Sequence, residues 1–460
     1  MQPSTDTVPI LRPWTHFFHY LRDGANPLFH LCALQERIGD VYRLDLGLTK
    51  LWVLTRPEHA QHILQNNARN YRKGDHFDTP LRSVIRNGSA VSDLAKWRAL
   101  RSIALPYFQG DRLSDLPIFV DAAWRSLEGV IAEHCALGRP LNLSRLMECA
   151  SVSVACQQFG FGVPTYPELV AYLDAIKTLM YGDSPLFFAT RLFPWAPLPS
   201  RAHLQQAAVQ VRQIVTSWIA TRLKQDDPRD DFCNALLRLV SQDIPAVQGD
   251  SAVLAAMLYD ELFQILLAAH ETVSAGLAWT TWLLSSHASI RENVAAEIDA
   301  RPNWAIESAP AYLDGVIKES LRLFPPAWRI TRRAIEDDTI GRFTVPAGAP
   351  VMLFVFGLHR HPDFWPAPNA FHPERFFGAT RHDLGWQWMA FGAGPRSCIG
   401  GDMAVIEMKL ILAWLMRRYR ITPVAPPPLD SRVNLAVTLR LRRPQYVHLH
   451  RSSAVPPSFA

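Results

Sequence analysis

One cysteine near the end of the chain stands in a loop whose composition suits the presentation of a thiolate. Cys398 lies in the segment FGAGPRSCIG, between Phe391 and Gly400. Gly392 and Gly394 allow the backbone to turn tightly and to approach a flat, bulky group. The apolar segment that follows, AVIEMKLILAWLM, predicts a helix whose N-terminal N–H groups and dipole stabilise a thiolate. The loop therefore describes a thiolate offered to a metal, although a lone cysteine is more often a buried structural one.

An acid and an alcohol stand side by side in the longest predicted helix. Residues 252–284 contain no proline and predict a helix of about 50 Å. Its segment AAHET carries Glu271 beside Thr272, and the alternative to a chemical role for Glu271 is an ordinary solvated helix charge. Charged and polar residues interrupt the apolar run and exclude a transmembrane helix. His270 does not begin a zinc HExxH motif, because Ser274 takes the place of the second histidine.

Two further pairs have helical spacing. Glu319 and Arg322, at i and i+3, share a helix face, and a segment PERF that contains Arg375 follows further along the chain. Such a pair is usually an exposed ion pair that contributes little stability. Trp97 and Arg101, at i and i+4, share the face of another predicted helix and are also compatible with a core tryptophan beside a surface arginine.

These four motifs together resemble those of the cytochrome P-450 monooxygenases. The family's haem-binding loop reads FxxGxRxCxG, its oxygen-activation motif (A/G)GxD/ET and its paired helix ExxR, and the resemblance covers about residues 35–445. Ala269 departs from the commoner glycine, which implies a tighter groove for dioxygen. The resemblance implies a mainly α fold with small β-sheets, in which a helix-rich single domain places its long central helix over the haem.

The resemblance also assigns roles to the chemical residues. Cys398 becomes the axial thiolate ligand of the iron of haem b (iron protoporphyrin IX). Glu271 and Thr272 become the catalytic pair that delivers protons for oxygen activation. Residues that would contact the haem or its propionates are Arg396, Trp97, Arg101, Arg332, Phe391 and Gly392. Arg333 is a near competitor of Arg332 for the propionate role.

Two groups of residues would surround this centre. Glu319, Arg322 and Arg375 would form a buried network behind the haem, with a structural role and a role in haem retention. The implied substrate pocket is mostly apolar, which favours a hydrophobic substrate, although each of its members suits an ordinary core as well. These pocket residues are Phe263, Leu267, Ala268, Ala327, Trp328, Ile330, Leu435 and Val437.

The implied activity is the insertion of one oxygen atom from O2 into an organic small molecule, by hydroxylation or epoxidation, in secondary metabolism. Electrons would come from a separate ferredoxin or flavodoxin with its reductase. A basic docking face for that donor is predicted, or else these residues are ordinary solvated charges: Lys96, Arg98, Lys409, Arg417 and Arg418. The alternatives are a peroxide-dependent peroxygenase of the same fold and a non-catalytic haem-thiolate sensor or binding protein.

Composition sets the broad class. The 460 residues carry 47 basic and 42 acidic side chains, a net charge of +5 without the basic stripe of a nucleic-acid-binding protein. The six cysteines form no CxxC pair, and their apolar contexts suit a reducing compartment. No apolar leader or anchor precedes Pro27. We therefore expect a cytoplasmic monomer without membrane attachment, with an N-terminal extension over residues 1–26, one domain over 27–450 and a disordered tail over 451–460.

Apolar periodicity predicts the remaining elements. Helices are expected over residues 27–39, 144–160, 166–182, 201–224 and 311–324, over most of 93–135, and from the cysteine loop to about Arg418. The runs VYRLDLG and LWVLT predict a hairpin, and PVMLFVF and VNLAVTLRLR each predict a strand. Residues 71–92 predict a long loop.

Overall fold

The structure is a computed structural model and describes residues 8–11, 27–45, 50–73, 94–181, 200–225, 230–243, 251–300, 311–424, 433–435 and 438–452. Its helices, in chain order, are α1 Pro27–Ile38, α2 Pro57–Gln61, α3 Leu94–Ala104, α4 Leu116–Ala136, α5 Leu143–Gln158, α6 Tyr166–Tyr181, α7 Ser200–Lys224, α8 Phe232–Asp243, α9 Ser251–Ser286, α10 Ala288–Ala300, α11 Ala311–Leu323, α12 Val355–Leu358, α13 Arg381–Leu384 and α14 Gly401–Arg418. The mainly helical fold predicted from the sequence is confirmed.

The strands form one larger and three small sheets. They are β1 Ile10–Leu11, β2 Val41–Asp45, β3 Lys50–Leu54, β4 Tyr71–Arg72, β5 Leu141–Asn142, β6 Ile330–Ala334, β7 Asp338–Ile340, β8 Phe343–Val345, β9 Pro350–Leu353, β10 Tyr419–Pro423, β11 Val433–Leu435, β12 Leu439–Leu441 and β13 Tyr446–Arg451. The six-stranded sheet has the order β1-β2-β3-β9-β6-β4, and β10-β13-β5 form a second. The strands β11 and β12 pair with each other, as do β7 and β8.

The long helix α9 runs through the core, as its sequence predicts. It extends the predicted 252–284 segment at both ends, over 36 residues. It packs on α5, α7, α11 and α14. Gly276 permits the approach of α14 and α11, since a Cβ there would lie 3.0 Å from Met408 and 3.2 Å from Leu321. This packing brings the Glu271–Thr272 segment and the cysteine-loop helix α14 to one region of the core.

Three segments differ from their predictions. The strand predicted over PVMLFVF ends at Leu353, because Val355–Leu358 turns into a short buried helix. The single strand predicted for VNLAVTLRLR is a hairpin, in which Val433 pairs with Leu441. The strand β1 lies within the predicted N-terminal extension, yet it pairs with β2 in the larger sheet. Alternating apolar residues do not distinguish one long strand from two short ones joined by a turn.

Among the described helices of more than five residues, α8 and α10 had not been predicted, and neither had the short helices α12 and α13. The predicted loop over 71–92 begins at β4, and its residues from 74 lie outside the described part, as does the tail from 453. Among the described residues, no helix is long and apolar enough to cross a membrane.

Candidate functional site

A cavity of about 500 Å³ lies between α9, the residues after α11 and the cysteine loop. Its lining is mainly apolar and includes Ile265, Leu321 and Met403. Cys398 also lines it, and is the one exposed thiol among the six free cysteines. The predicted ligand therefore faces a space large enough for a bulky group.

Backbone hydrogen bonds hold the cysteine loop in shape. The Cys398 N–H donates to the Phe391 carbonyl at 2.8 Å, and the Ser397 N–H donates to the Gly394 carbonyl at 3.0 Å. Gly394 has φ 72°, and a Cβ there would collide with the Leu64 carbonyl oxygen. Glycine is therefore required at this position for the left-handed backbone and for the close approach.

The other cysteines are unsuited to act as thiolates. Burial raises the pKa of Cys32, Cys149 and Cys233 to about 12 and raises those of Cys135 and Cys156. Desolvation disfavours the charged form of each thiol. Exposure to the cavity therefore distinguishes Cys398 from all five.

Several predicted haem contacts meet near the loop. The Arg396 guanidinium lies 4.6 Å from the Trp97 ring centroid, and that of Arg101 lies 5.5 Å from it. Arg101 Nη1 donates to the Ser397 carbonyl at 2.9 Å. Of these residues, Arg396 lines the cavity, with Phe391 and Gly392 beside it. The structure thus places Trp97 and Arg101 against the loop and Arg396 on the cavity wall.

The two candidate arginines of β6 lie on different sides of the strand. Arg332 lines the cavity, whereas Arg333 Nη1 donates to the Gly348 carbonyl at 2.5 Å. Because successive strand residues point to opposite faces, the two side chains cannot both face the cavity. This placement favours Arg332 over Arg333 as the arginine that would bind a haem propionate. Lys73, which sequence reasoning missed inside a polar loop, also lines the cavity.

The proton-delivery pair is divided between two faces of α9. Thr272 lines the cavity with Ala268 and Ala269, and its Oγ1 donates to the Ala268 carbonyl at 2.9 Å. Glu271 is buried on another face, where Arg440 and Thr438 bind its carboxylate. Adjacent helix residues are separated by about 100°, which accounts for the division.

Three predicted pocket residues line the cavity: Ala268, Ala327 and Ile330. Phe263 and Leu267 are instead buried on other faces of α9, and Phe263 stacks on Tyr259. Trp328 is 9% exposed and also lies outside the cavity lining. The side chain of Leu435 and the whole of Val437 lie outside the described part.

Glu319, Arg322 and Arg375 meet in one network of hydrogen bonds. Arg322 donates to both carboxylate oxygens of Glu319, from Nε at 2.7 Å and Nη2 at 2.8 Å, and Arg375 Nε adds a bond at 3.1 Å. Glu319 and Arg322 are fully buried. Gly315 allows the PERF segment to approach, since a Cβ there would lie 2.8 Å from the Pro373 carbonyl oxygen.

One histidine that the sequence did not single out joins this network to Met389, two residues before the cysteine loop. His359 is fully buried; its Nε2 accepts the Met389 N–H at 2.7 Å, so its Nδ1 donates to the Arg322 carbonyl at 3.1 Å. Burial lowers the pKa of His359 to about 3 and keeps the ring neutral. Its sequence context, LHRHP, carries no spacing that would have indicated this role.

The predicted basic docking face is wrong for three of its residues. Lys409 is 7% exposed and donates to Asp314 at 2.7 Å, and Arg417 is buried against the Ile298 carbonyl. Arg418 stacks on the Trp414 ring at 4.1 Å. The long aliphatic stems of these cations pack into the core side of α14. Arg98 is exposed, and the side chain of Lys96 lies outside the described part.

A buried acid also reaches the cavity. Glu407, on α14, is 3% exposed and lines the cavity, and its Oε1 has no hydrogen-bond partner among the described residues. Burial alone raises its pKa from 4.5 to about 8. The carboxyl is therefore neutral at neutral pH.

This raised pKa predicts a falling stability with pH. Because the folded protein holds the Glu407 proton more tightly than the unfolded chain, the contribution is full below about pH 4.5 and is lost as the pH rises through about 8. In Glu407→Gln the free energy of unfolding should fall less between these pH values than in the wild type, by up to about 5 kcal/mol. Urea unfolding across this range measures it, with the exposed Asp402→Asn as control. Parallel curves for wild type and Glu407→Gln would contradict the prediction.

The cavity residues fit a haem. Cys398 offers a soft ligand for iron, the apolar walls suit the faces of a macrocycle, and Arg396, Arg332 and Lys73 offer cations to two carboxylates. Within the described part no cluster of His, Cys, Asp and Glu could hold a metal ion by itself. Cys398 would supply the one protein ligand to an iron whose other ligands come from the haem.

Comparisons with known proteins give the family. A family model for cytochrome P450 matches residues 8–447. The chain is 29% identical over 442 residues to the cyclooctat-9-en-7-ol 5-monooxygenase of Streptomyces melanosporofaciens, covering 92% of this chain and 93% of that protein. It is 26% identical over 452 residues to the cyclooctatin synthase of the same organism, covering 94% and 96%.

A solved structure shares the fold. The crystal structure of CYP175A1 from Thermus thermophillus matches with a TM-score of 0.71 at 22% identity, over 96% of this chain and 100% of that one. The family match across nearly the whole chain includes the cysteine loop and the long helix. The chain therefore belongs to the cytochrome P450 family, and is an oxygen-incorporating oxidoreductase with a haem-thiolate cofactor.

Proposed function

We propose that this protein is a haem b monooxygenase that inserts one oxygen atom from dioxygen into a hydrophobic small molecule, by hydroxylation or epoxidation. The observation that carries the proposal is that Cys398 and Thr272 line the same apolar cavity of about 500 Å³. A thiolate-ligated haem supplies electron density that favours cleavage of the O–O bond. Cys398 would hold the iron, while Arg396 and Arg332 would bind the propionates.

The chain's own residues divide the remaining work. The Thr272 hydroxyl, now bonded to the Ala268 carbonyl, would donate a hydrogen bond into the cavity after a rotation about its side chain. Ile265, Ala268 and Val273 line the same cavity, so Thr272 stands among apolar groups. Glu271 would supply the replacement proton. Thr272 is thus the group closest to the reaction, and Glu271 lies behind it.

Two relatives indicate the substrate class. One is named for the oxidation of cyclooctat-9-en-7-ol, an unsaturated alcohol, and the other for the synthesis of cyclooctatin. The apolar residues that line the cavity beside Thr272 suit such hydrocarbon-rich molecules. We therefore place the substrate among hydrocarbon-rich secondary metabolites. We assign electron transfer to a separate ferredoxin or flavodoxin with its reductase, in keeping with the external electron donors that membership of the cytochrome P450 family implies.

The test separates electron-driven from peroxide-driven oxidation. Haem-loaded protein is first screened for binding spectra with hydrocarbon-rich alcohols, and each ligand is then offered with a ferredoxin–reductase pair or with hydrogen peroxide. We expect product with the redox pair, and a loss on the order of 100-fold for Thr272→Val but not for Thr272→Ser, which keeps the hydroxyl.

Two results would contradict the proposal. Product with peroxide and none with the redox pair would favour the peroxygenase. A thiolate spectrum without product under either condition would favour the sensor.

A further inference from the structure

The catalytic acid predicted from the sequence is held away from the cavity by one arginine. Arg440 Nε donates to Glu271 Oε1 at 2.8 Å and Nη2 donates to Oε2 at 2.5 Å. The Thr438 hydroxyl adds a bond to Oε1 at 2.7 Å. Arg440 belongs to β12 and Thr438 directly precedes that strand, so both partners lie more than 160 residues away in sequence. This fork geometry fixes the orientation of the carboxylate as well as its charge.

The same arginine binds a second acid. Arg440 Nη1 donates to Glu148 Oε1 at 2.5 Å, and Glu148 Oε2 accepts from Arg145 at 3.2 Å. Arg145 also pairs with Asp174, whose side chain is 60% exposed. Alternating acids and bases therefore run from Glu271 to the surface. Arg440 lies between two carboxylates that compete for one guanidinium.

The other titratable side chains beside Glu271, His270 and Tyr172, carry no charge at neutral pH. Burial lowers the pKa of His270 to about 3, and burial raises the pKa of Tyr172 well above its usual value. Among the described residues that influence Glu271, Arg440 is thus the cation and Glu148 is the other anion. The charge state of Glu271 depends on where this guanidinium lies.

Two opposed effects act on the Glu271 carboxyl. Burial raises its pKa, while Arg440 and Thr438 lower it, and the net result is a raised pKa. If the guanidinium moves toward Glu148, Glu271 remains buried without a cation and takes up a proton, because an isolated buried carboxylate is costly. The neutral acid is then released from its ionic contact and can turn toward Thr272.

We propose that Arg440 is a positioning residue that sets the protonation and orientation of Glu271, and that Glu148 is the alternative carboxylate to which its guanidinium can move. This inference rests on the proposed monooxygenase function. One proton enters Glu271 from solvent and one leaves it toward Thr272, so charge balances over a cycle and no electrons move. Arginine keeps its proton throughout, so Arg440 acts by exchanging partners and not as a proton carrier.

The test measures the protonation of Glu271 directly, in haem-loaded protein without substrate or electron donor. Infrared difference spectra recorded against pH contain the C=O band of the protonated acid, identified by its loss in Glu271→Gln. Arg440→Gln should raise the midpoint of the Glu271 titration by one pH unit or more, because the cation that favours the carboxylate is gone. This shift means that Glu271 binds its proton at least ten times more tightly. Glu148→Gln should lower the midpoint, because Arg440 then pairs with Glu271 alone. Arg442→Gln, an exposed neighbour, should leave it unchanged.

Midpoints of Glu271 that coincide in wild type, Arg440→Gln and Glu148→Gln would overturn the proposal. If Arg440→Gln does not fold, Glu148→Gln decides alone, since its predicted shift has the opposite sign. In turnover, the pH profile of product formation should follow each infrared shift, and an unmoved profile would overturn the catalytic role. Failure of the wild type to form any product would instead refute the proposed function and leave the infrared result standing.

Discussion

Replacement of Arg322 by alanine should destabilise the protein by about 3–5 kcal/mol, because it leaves Glu319 as an uncompensated charge in the core. Arg322 is fully buried and donates to both Glu319 oxygens and to the carbonyls of His359, Pro368 and Ala370. A loss of this size is a large part of the stability of a typical domain, about 5–15 kcal/mol. Urea unfolding and retention of haem on gel filtration measure the effect.

Arg375→Ala is the matched control within the same network. Arg375 is partly exposed, with 15% side-chain exposure, and makes one bond to Glu319, at 3.1 Å, with another to the Pro366 carbonyl. Its loss leaves the Arg322–Glu319 fork intact and should cost less than half as much. Equal stability losses for the two variants would show that the fork is not what stabilises this region. Arg322→Lys should not rescue, because an ammonium lacks the planar fork.

The second large effect concerns Cys398. Cys398→Ser should abolish two properties of the haem-loaded protein. One is the long-wavelength absorption band of the reduced carbon monoxide complex, which gives the family its name, and the other is product formation. Serine keeps the size of the side chain but does not supply a soft thiolate to iron. Folding should be preserved, since the loop is held by backbone hydrogen bonds and the side chain faces the cavity.

Cys135→Ser provides the comparison for the thiol chemistry. Cys135 is half-buried, and burial raises its pKa. Its replacement should leave the carbon monoxide band unchanged. Retention of the band in Cys398→Ser would assign the ligand to another residue and would contradict the site described above.

The sequence predicted what depends on short-range pattern. The cysteine loop, the Glu319–Arg322 spacing and the long helix α9 are local, and the structure places them as their spacing implies. Counting turns along α9 would have improved the pocket assignment. Leu267 lies five residues before Thr272, and Phe263 lies nine residues before it. At about 100° per residue, both side chains point away from the cavity face of the helix, whereas Ala268 and Ile265 lie on that face.

Contacts between segments that are distant in sequence leave no local pattern from which they could be predicted. Arg440 meets Glu271 across 169 residues, and His359 joins Arg322 to Met389, yet neither residue stands in a motif. Lys409 was predicted to be a surface cation because the sequence shows its charge but not its surroundings. The packing of α14 on α11 explains its pairing with Asp314. Long-range partners of this kind depend on the tertiary fold and not on local periodicity.

The most direct test of the monooxygenase assignment is the source of the inserted oxygen. Haem-loaded protein, a ferredoxin–reductase pair and a ligand chosen by its binding spectrum are incubated under ¹⁸O2, and the product is analysed by mass spectrometry. Insertion from dioxygen predicts one ¹⁸O atom in the product and none when the label is in water. Unlabelled product under ¹⁸O2, or label acquired only from peroxide or water, would contradict the assignment.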